Sequence, residues 1–170
     1  MCRLGGGNKR APLNAPYIVG MKQEDLVRAD YYRAVAVDYA KHFIGTPYHW
    51  GGDDPMAGFD CSGLVVEVLQ MVGRLAHGLD YSANDLLSIF RPGEVARGYA
   101  GCLAFYLDPA GRAVHVVLMV DDMFAIGADG GGSRTITTED AIAQNAFIKI
   151  RPLDYRKGPR IIVDPFKGVF

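Results

Sequence analysis

The sequence contains few cysteines, and they follow no metal-binding pattern. Of its 170 residues three are cysteines, namely Cys2, Cys61 and Cys102. An odd number of cysteines argues against a disulfide framework. The lack of a CxxC motif and of a Cys/His pair at metal-ligand spacing argues against a structural zinc site. We therefore expect free thiols, no bound metal and no cofactor.

The sequence also lacks an excess of charge and a long apolar run. It has 18 Lys plus Arg against 19 Asp plus Glu, a formal net charge of -1. Such a chain has no overall field that would hold a polyanion, so nucleic acid is not an expected partner. No run approaches the roughly 20 apolar residues that span a bilayer, so no membrane insertion is expected.

The N-terminal segment has no apolar core of the kind found in signal peptides. "MCRLGGGNKRAPLNAPY" consists mainly of Gly, Pro, Asn and basic residues. Cys2 is therefore a poor lipoprotein candidate. We expect the chain to be made and kept in the cytoplasm unless something other than a signal peptide moves it.

Length and composition predict a single domain behind an extended arm. The chain is 49% hydrophobic and 22% charged, which suffices for one sizeable core. Residues 1–22 show no periodicity and are predicted to be an extended arm. Residues 23–170 are predicted to form the domain.

Helical periodicity dominates the first half of this domain. Apolar residues at helical spacing predict a helix over residues 24–43, and another from Cys61 to Gly73. The loop 45–58 between them is rich in Gly and Pro. A short helix over residues 82–90 has two candidate caps, Ser82 and Asn84.

Short β-rich runs dominate the second half. Turn signals separate three of them and predict consecutive antiparallel strands. Thr137 and Asp140 resemble a capping box that opens another short helix. Helices before an antiparallel sheet indicate the α+β class. The predicted strands are residues 101–107, 113–120, 123–128 and 147–153, with a weaker one at 161–163.

Cys61 is the cysteine whose position suits catalysis. A free thiol is mostly protonated near neutral pH, and the thiolate is the nucleophile. The first turn of a helix stabilises a thiolate and can hold the oxyanion formed when an acyl carbon is attacked. The alternative is that Cys61 is a small buried residue that happens to begin a helix.

A nucleophilic cysteine needs a base, and four histidines are candidates. His42 lies near a helix end and His77 in a loop, while His49 lies in the Gly-rich loop. His115 lies in the apolar strand "AVHVVLMV", where a histidine is costly unless it is satisfied or used. A core histidine bonded to backbone remains the alternative.

Taken in order, the motifs "GTPYHWGG", "GFDCSGLV" and "HVVLMV" resemble the NlpC-type cell-wall cysteine peptidases. The histidine of the last motif follows Cys61 by 54 residues, 115 minus 61. The resemblance covers roughly residues 25–130. It implies a small papain-like α+β domain, with the cysteine on a helix packed against the sheet that carries the histidine.

The resemblance also implies roles for individual residues. Cys61 corresponds to the nucleophile and His115 to the base, while Tyr48, Asp60 and Ser62 match positions that shape the substrate cleft. The pair Gly51-Gly52 would support the cleft wall. Each cleft residue has a structural alternative: Tyr48 as core, Asp60 as a helix cap, and Ser62 as a first-turn residue without substrate contact.

The third catalytic position of the family departs from its usual pattern. The simplest alignment places Gly127 where a polar residue would orient the imidazole. Asp129 would share the face of Gly127 if the strand continues, since side chains alternate along a strand. Asp129 or a backbone oxygen could then orient His115; alternatively, Asp129 is only a turn residue before three glycines.

The resemblance implies a substrate and leaves the function open in part. Such enzymes cut peptide bonds in the stem peptide of bacterial peptidoglycan, commonly after D-glutamate. The glycine at position 127 also suits a catalytically weakened structural or wall-binding protein, and an amidase or acyltransferase could use the same Cys61 and His115. The segment "GGGSRTITTEDAIAQNAFIKIRPL" is similar to phage-tail versions of the family. We therefore expect synthesis in the bacterial cytoplasm, assembly into a virion tail, and docking of the arm on other tail proteins.

Overall fold

The computed structural model describes residues 23–168, so the predicted arm at residues 1–22 lies outside the described residues. Helices come first and most strands follow, in the order that the sequence predicts. The helices are α1 (Gln23–Lys41), α2 (Cys61–Met71), α3 (Ala83–Phe90) and α4 (Thr138–Ala143), with a 3-10 turn at Arg91–Gly93. The strands are β1 (Asp53–Asp54), β2 (Gly58–Phe59), β3 (Leu103–Leu107), β4 (Ala113–Met119), β5 (Phe124–Asp129), β6 (Phe147–Pro152) and β7 (Arg160–Val163).

Five strands form one antiparallel sheet in the order β6-β5-β4-β3-β7. Strands β3 to β6 lie side by side in chain order: short turns join β3 to β4 and β4 to β5, and a longer segment that contains α4 joins β5 to β6. Strand β7 crosses to the far edge, where Val163 pairs with Leu103. The weakly signalled strand at residues 161–163 is therefore present and closes the β3 side of the sheet.

The apolar side of α2 packs on the sheet and forms the main core. Leu64, Val65 and Leu69 are buried, as their helical spacing predicts. They meet alternate residues of the central strands, such as Val116 and Leu118. A smaller cluster on the other set of alternate positions includes Ala104, Tyr106, Val117, Met119 and Ala125.

Two helix starts are formed by reciprocal caps. Ser82 accepts the N–H of Asp85, whose carboxylate accepts the N–H of Ser82. Thr137 and Asp140 do the same for α4, so the capping box predicted there is present. Of the two candidate caps for α3, Ser82 is the one used.

A buried carboxylate fastens the C-terminal segment to α1. Asp164 is 1% exposed and accepts hydrogen bonds from Arg33 Nη2 at 2.5 Å and from the Tyr99 hydroxyl at 2.9 Å. It also accepts the backbone N–H of Phe166 at 2.9 Å. With a fourth hydrogen bond from Arg33 Nε at 3.2 Å, each carboxylate oxygen accepts two hydrogen bonds, which offsets the cost of burying the charge.

Asp164→Ala is expected to destabilise the protein by about 3 kcal/mol, because Arg33, which keeps only its exposed partner Asp30, loses its buried carboxylate, and the Tyr99 hydroxyl and the Phe166 N–H lose their acceptor. The free energy of unfolding from urea denaturation measures this loss. Asp122→Ala is the matched control: it breaks the ion pair with Arg97, whose side chain is 84% exposed, and should cost less than about 1 kcal/mol. Equal losses in the two variants would contradict the role assigned to Asp164.

Candidate active site

Cys61 is the first residue of α2, and Asp60 caps this helix. The Asp60 carboxylate accepts the backbone N–H of Gly63 at 2.8 Å and the hydroxyl of Ser62 at 2.9 Å. The capping role considered for Asp60 is therefore present. The amides of Cys61 and Ser62 have no intrahelical acceptor by helix geometry, so they can bind an anion that forms beside the sulfur.

Three glycines let the loop before α2 lie directly on its first turn. A Cβ at Gly63 would lie 2.0 Å from the carbonyl oxygen of Gly52, and one at Gly52 would lie 2.4 Å from that of Gly58. Side chains at these positions would push the backbones apart. Gly52, Gly58 and Gly63 thus let the loop lie directly against the first turn of α2, whereas a Cβ at Gly51, the other glycine of the predicted pair, would meet nothing within 4 Å.

The same loop is bonded to the sheet side of the domain. The N–H of Trp50 donates to Thr135 at 2.8 Å and that of Tyr48 to Ala146 at 3.0 Å. The ring of Tyr48 lies so close to Gly131 that a Cβ there would be 2.2 Å from it. Tyr48 is buried, and this burial, together with the negative charges of Cys61 and Asp60, raises its pKa. Tyr48 is thus a core residue that also borders the nucleophile.

His115 lies on β4 and is hydrogen-bonded to Asp129 at the end of β5. The distance from His115 Nε2 to Asp129 Oδ1 is 3.0 Å, and both side chains are buried. Because Nε2 is engaged with the carboxylate, Nδ1 is the nitrogen left for Cys61. The tautomer is assigned from this hydrogen bond. A core histidine bonded to backbone is not what the structure shows.

The strand register explains why Asp129, and not Gly127, reaches the imidazole. Strands β4 and β5 pair with Leu118 opposite Ile126, and the same register continued by three residues puts His115 opposite Asp129. A Cβ at Gly127 would lie 2.6 Å from Val117, so that position has no room for a side chain. The interpretation of Asp129 as a turn residue is wrong, because it is the last residue of β5.

Two residues from beyond β5 complete the surroundings of Asp129. The hydroxyl of Tyr155 donates to Asp129 Oδ1 and lies 3.1 Å from His115 Nε2. Arg151 Nε lies 3.9 Å from Asp129 Oδ2, and its guanidinium lies over the ring of Tyr155. The carboxylate is therefore held from three sides.

These contacts favour a charged imidazole and a charged carboxylate. Burial disfavours the charge of His115, but hydrogen bonds with Asp129 and Cys61 outweigh it and raise its pKa to about 9. Burial likewise opposes ionisation of Asp129, yet His115, Tyr155 and Arg151 together lower its pKa. The histidine is thus an imidazolium near neutral pH, with Cys61 among the groups that stabilise it.

The other candidate residues lie away from this pair. Cys102 is fully buried, and burial raises the pKa of its thiol to about 12. His42 Nδ1 contacts the carbonyl oxygen of Asp38 at the end of α1. His49 lies in the loop before α2, where its Nδ1 is buried without a partner among the described residues. Cys2 lies outside the described residues.

Sequence reasoning missed Tyr155 and Arg151, together with Tyr106, whose ring centroid lies 5.7 Å from that of His115. Tyr155 and Arg151 lie in or after β6, 26 and 22 residues beyond Asp129, and no motif or period connects them to it. The one available signal was the mixture of tyrosine and arginine in "RPLDYRKGPR", which is unusual in a plain surface tail.

Among residues 23–168 no cluster of three or more His, Cys, Asp or Glu side chains is placed to hold a metal ion. Within the same range, no helix is both long enough and apolar enough to cross a membrane.

Comparison with known proteins finds related sequences. The sequence model of the NlpC/P60 family matches residues 45–151. Murein DD-endopeptidase MepH of Escherichia coli is 58% identical over 89 residues, which are 51% of this chain and 32% of that protein. Gamma-DL-glutamyl hydrolase of Bacillus subtilis is 28% identical over 146 residues, 72% of this chain and 35% of that protein. The chain thus aligns with about a third of the length of either relative.

Solved structures show the same fold. The NlpC/p60 domain of the peptidoglycan hydrolase SagA superimposes with a TM-score of 0.54 at 26% identity, covering 77% of this chain and 97% of that domain. The peptidoglycan hydrolase RipB of Mycobacterium tuberculosis gives a TM-score of 0.60 at 24% identity, with 85% and 72% of the two chains covered. The predicted α+β, papain-like fold is confirmed.

Proposed function

Because the chain belongs to the NlpC/P60 family, we propose that it is a cysteine peptidase that hydrolyses a peptide bond in the stem peptide of peptidoglycan. The observation that carries this proposal is the hydrogen bond of His115 Nε2 with the buried Asp129. It leaves Nδ1 for Cys61, which begins α2. Nucleophile, base and orienting carboxylate are therefore all present in the chain.

The proposed reaction runs through a thioester. The thiolate of Cys61 attacks the scissile carbonyl carbon, and the amides of the first turn of α2 hold the resulting oxyanion. His115 gives its proton to the departing amine as the C–N bond breaks. It then takes a proton from water, whose oxygen attacks the thioester carbon; the C–S bond breaks, the acid is released, and the thiolate and the imidazolium are regenerated. Asp129 keeps the imidazole oriented throughout.

We place the substrate cleft around Tyr48, Asp60 and Ser62. Asp60 carries a negative charge beside the nucleophile and also accepts the N–H of Gly51 at 3.2 Å, so it joins the cleft loop to α2. Ser62 is turned toward Asp60 by its own hydrogen bond. A basic group of a stem peptide would be attracted to this side of the site.

The bond cut is proposed to follow D-glutamate. The match to gamma-DL-glutamyl hydrolase extends over 72% of this chain, further than the 51% covered by MepH, which is named a DD-endopeptidase. The two names describe different bonds, so the products decide between them.

Mass spectrometry of the fragments that the purified protein releases from peptidoglycan tests both the activity and the bond. New termini at D-glutamate are expected. Termini between two D-residues would overturn the proposed bond and keep the peptidase. Release of no fragment, from walls of several stem-peptide chemistries, would overturn the activity.

A catalytically weakened structural protein is the first alternative, and Gly127 was the reason for it. Since Asp129 supplies the carboxylate that Gly127 lacks, this reason no longer applies. An amidase or acyltransferase is the second alternative. It would use the same Cys61 and His115 but transfer the acyl group to an amine, so an added amine acceptor would appear in its products.

We further propose that the protein is made in the bacterial cytoplasm and acts as part of a phage tail, with residues 1–22 docking on other tail proteins. The support is the similarity of residues 130–153 to phage-tail versions of the family. Mass spectrometry of purified virions tests this location, and absence of the chain from them would contradict it.

Limited proteolysis of the isolated protein tests the docking role of residues 1–22. If these residues were protected from the protease, a docking role that needs them free would be contradicted.

Tyr155→Phe is expected to lower kcat about tenfold, because it removes the hydroxyl that donates to the Asp129 carboxylate. The alkaline limb of the pH profile of activity should shift at the same time, since the hydrogen bond with Asp129 influences the pKa of His115. Tyr39→Phe is the control, because its hydroxyl donates to Glu67 at 2.6 Å and not to a residue of the site. A Tyr155→Phe enzyme with the kcat and pH profile of the wild type would show that the hydroxyl has no positioning role.

A further inference from the structure

An arginine without a carboxylate partner lies beside the catalytic pair. The Cζ atom of Arg156 lies 6.0 Å from the ring centroid of Tyr106, whose ring in turn packs against His115. The charge of Arg156 also reaches Tyr48, which borders Cys61, and Tyr155, which bonds Asp129. One exposed guanidinium therefore interacts with tyrosines on both the nucleophile side and the base side of the site.

Two neighbouring arginines contact acceptor groups, whereas Arg156 pairs with no carboxylate among the described residues. Arg151 is near Asp129, and Arg160 donates to the carbonyl oxygen of Leu153. Among residues 23–168 no carboxylate lies within ion-pair distance of Arg156. Four other arginines of the chain each have such a partner, namely Arg33, Arg91, Arg97 and Arg112. Its positive charge is thus free for an external anion.

The local charge balance differs from that of the whole chain. The segment "KIRPLDYRKGPR", residues 149–160, contains five Lys or Arg and a single acidic residue, Asp154. The complete chain has a net charge of -1. This segment is therefore locally electropositive.

A planar guanidinium that is already seated on an aromatic ring matches a carboxylate well. It offers two parallel N–H donors to the two oxygens, and the ring restricts its motion so that little side-chain freedom is lost on binding. Stem peptides carry free carboxylates close to their isopeptide and peptide bonds.

We propose that Arg156 is a specificity residue that binds a free carboxylate of the stem peptide and thereby selects acidic over amidated substrates. This inference rests on the proposed function, because it assumes that a stem peptide occupies the site. The carboxylate is either the α-carboxylate of D-glutamate or that of the following residue. The chemistry is the same in both cases, and the test separates them.

Binding can be measured without turnover in the Cys61→Ala protein by isothermal titration calorimetry. The probes are four forms of the tripeptide L-Ala-γ-D-Glu-L-Lys: both carboxylates free, either one amidated, and both amidated. Arg156→Gln in this background should weaken binding of the unamidated tripeptide about tenfold. The affinity of Arg156→Lys should lie between those of the protein with Arg156 and the Arg156→Gln variant. Lys157→Gln, a change of the next cation, which is also exposed, should leave the affinity unchanged.

The loss caused by Arg156→Gln should disappear for the peptide in which the recognised carboxylate is amidated, and this identifies the carboxylate. An equal loss for all four peptides, an equal loss from Lys157→Gln, or binding of none of the peptides would overturn the proposal. Cleavage of peptidoglycan by the unmodified protein is measured separately. A peptidase that cuts the wall but is indifferent to Arg156 would refute this inference alone.

Discussion

Cys61→Ala is expected to abolish hydrolysis of peptidoglycan, a fall on the order of 10⁶-fold, because no other group in the site can form the thioester. Cys61 is partly exposed at the first turn of α2, and alanine is the best helix former, so the fold should be retained. Release of soluble fragments per unit time measures the activity, and circular dichroism measures the fold. Residual cleavage within tenfold of the wild type would exclude Cys61 as the nucleophile.

Cys102→Ala is the matched control for this variant. Its thiol is fully buried in the smaller apolar cluster, which also contains Ala104 and Tyr106. Burial raises the pKa of this thiol to about 12, so it is unreactive near neutral pH. The variant should keep its activity. Iodoacetamide at neutral pH should accordingly label Cys61 before Cys102, as peptide mapping can show. Faster labelling of Cys102 would contradict the burial assigned to it.

Asp129→Ala should lower kcat/KM on the order of 10²–10⁴-fold, the range associated with losing an acid-base group or its orienting partner. The pH profile should change as well. His115, with a pKa of about 9, is protonated below that pH and neutral above it, so the imidazolium that donates a proton to the departing amine is present below pH 9 and lost above it. Without Asp129 one of the groups that raise the pKa of His115 is gone, and the alkaline limb should move to lower pH.

Two comparisons make this prediction specific. Asp129→Asn keeps a hydrogen-bond acceptor without the charge, so its alkaline limb should fall between those of Asp129→Ala and the wild type. Asp122→Ala removes an exposed carboxylate that pairs with Arg97, and it should leave both rate and profile unchanged. An Asp129→Ala enzyme that loses rate while its alkaline limb stays near pH 9 would mean that Asp129 only supports the fold.

Most secondary structure could be predicted because local rules produce it. The period of 3.6 in "CSGLVVEVL" and the turns "DPAGR" and "DD" correspond to α2 and to the hairpins of β3, β4 and β5. Ser82 and Thr137 cap the N-terminal ends of their helices, and each bonds with a partner three residues further along, a spacing that can be read directly from the sequence. The placement of β7 beside β3 was not predictable, because this pairing joins residues about 60 positions apart.

The proposed nucleophile and the proposed base could be located from sequence, whereas the orientation of the base could not. The motifs around Cys61 and His115 identify both residues without coordinates. Whether Asp129 ends a strand or begins a turn depends on pairing with β6, where it lies opposite Phe147. The alternation rule stated only that Gly127 and Asp129 share a face if the strand continues, and tertiary pairing decided that it does.

By itself the sequence determined the α+β class, the helix that begins at Cys61 and the histidine in an apolar strand, because each depends on residues within a few positions of one another. The tertiary structure alone decided what holds His115. Asp129 comes from β5, Arg151 from β6 and Tyr155 from the loop after β6, and they meet only because the sheet register and the course of the chain after β6 bring them together. The course of the chain after β6 also places Arg156 beside the site, although no local sequence pattern relates Arg156 to Cys61.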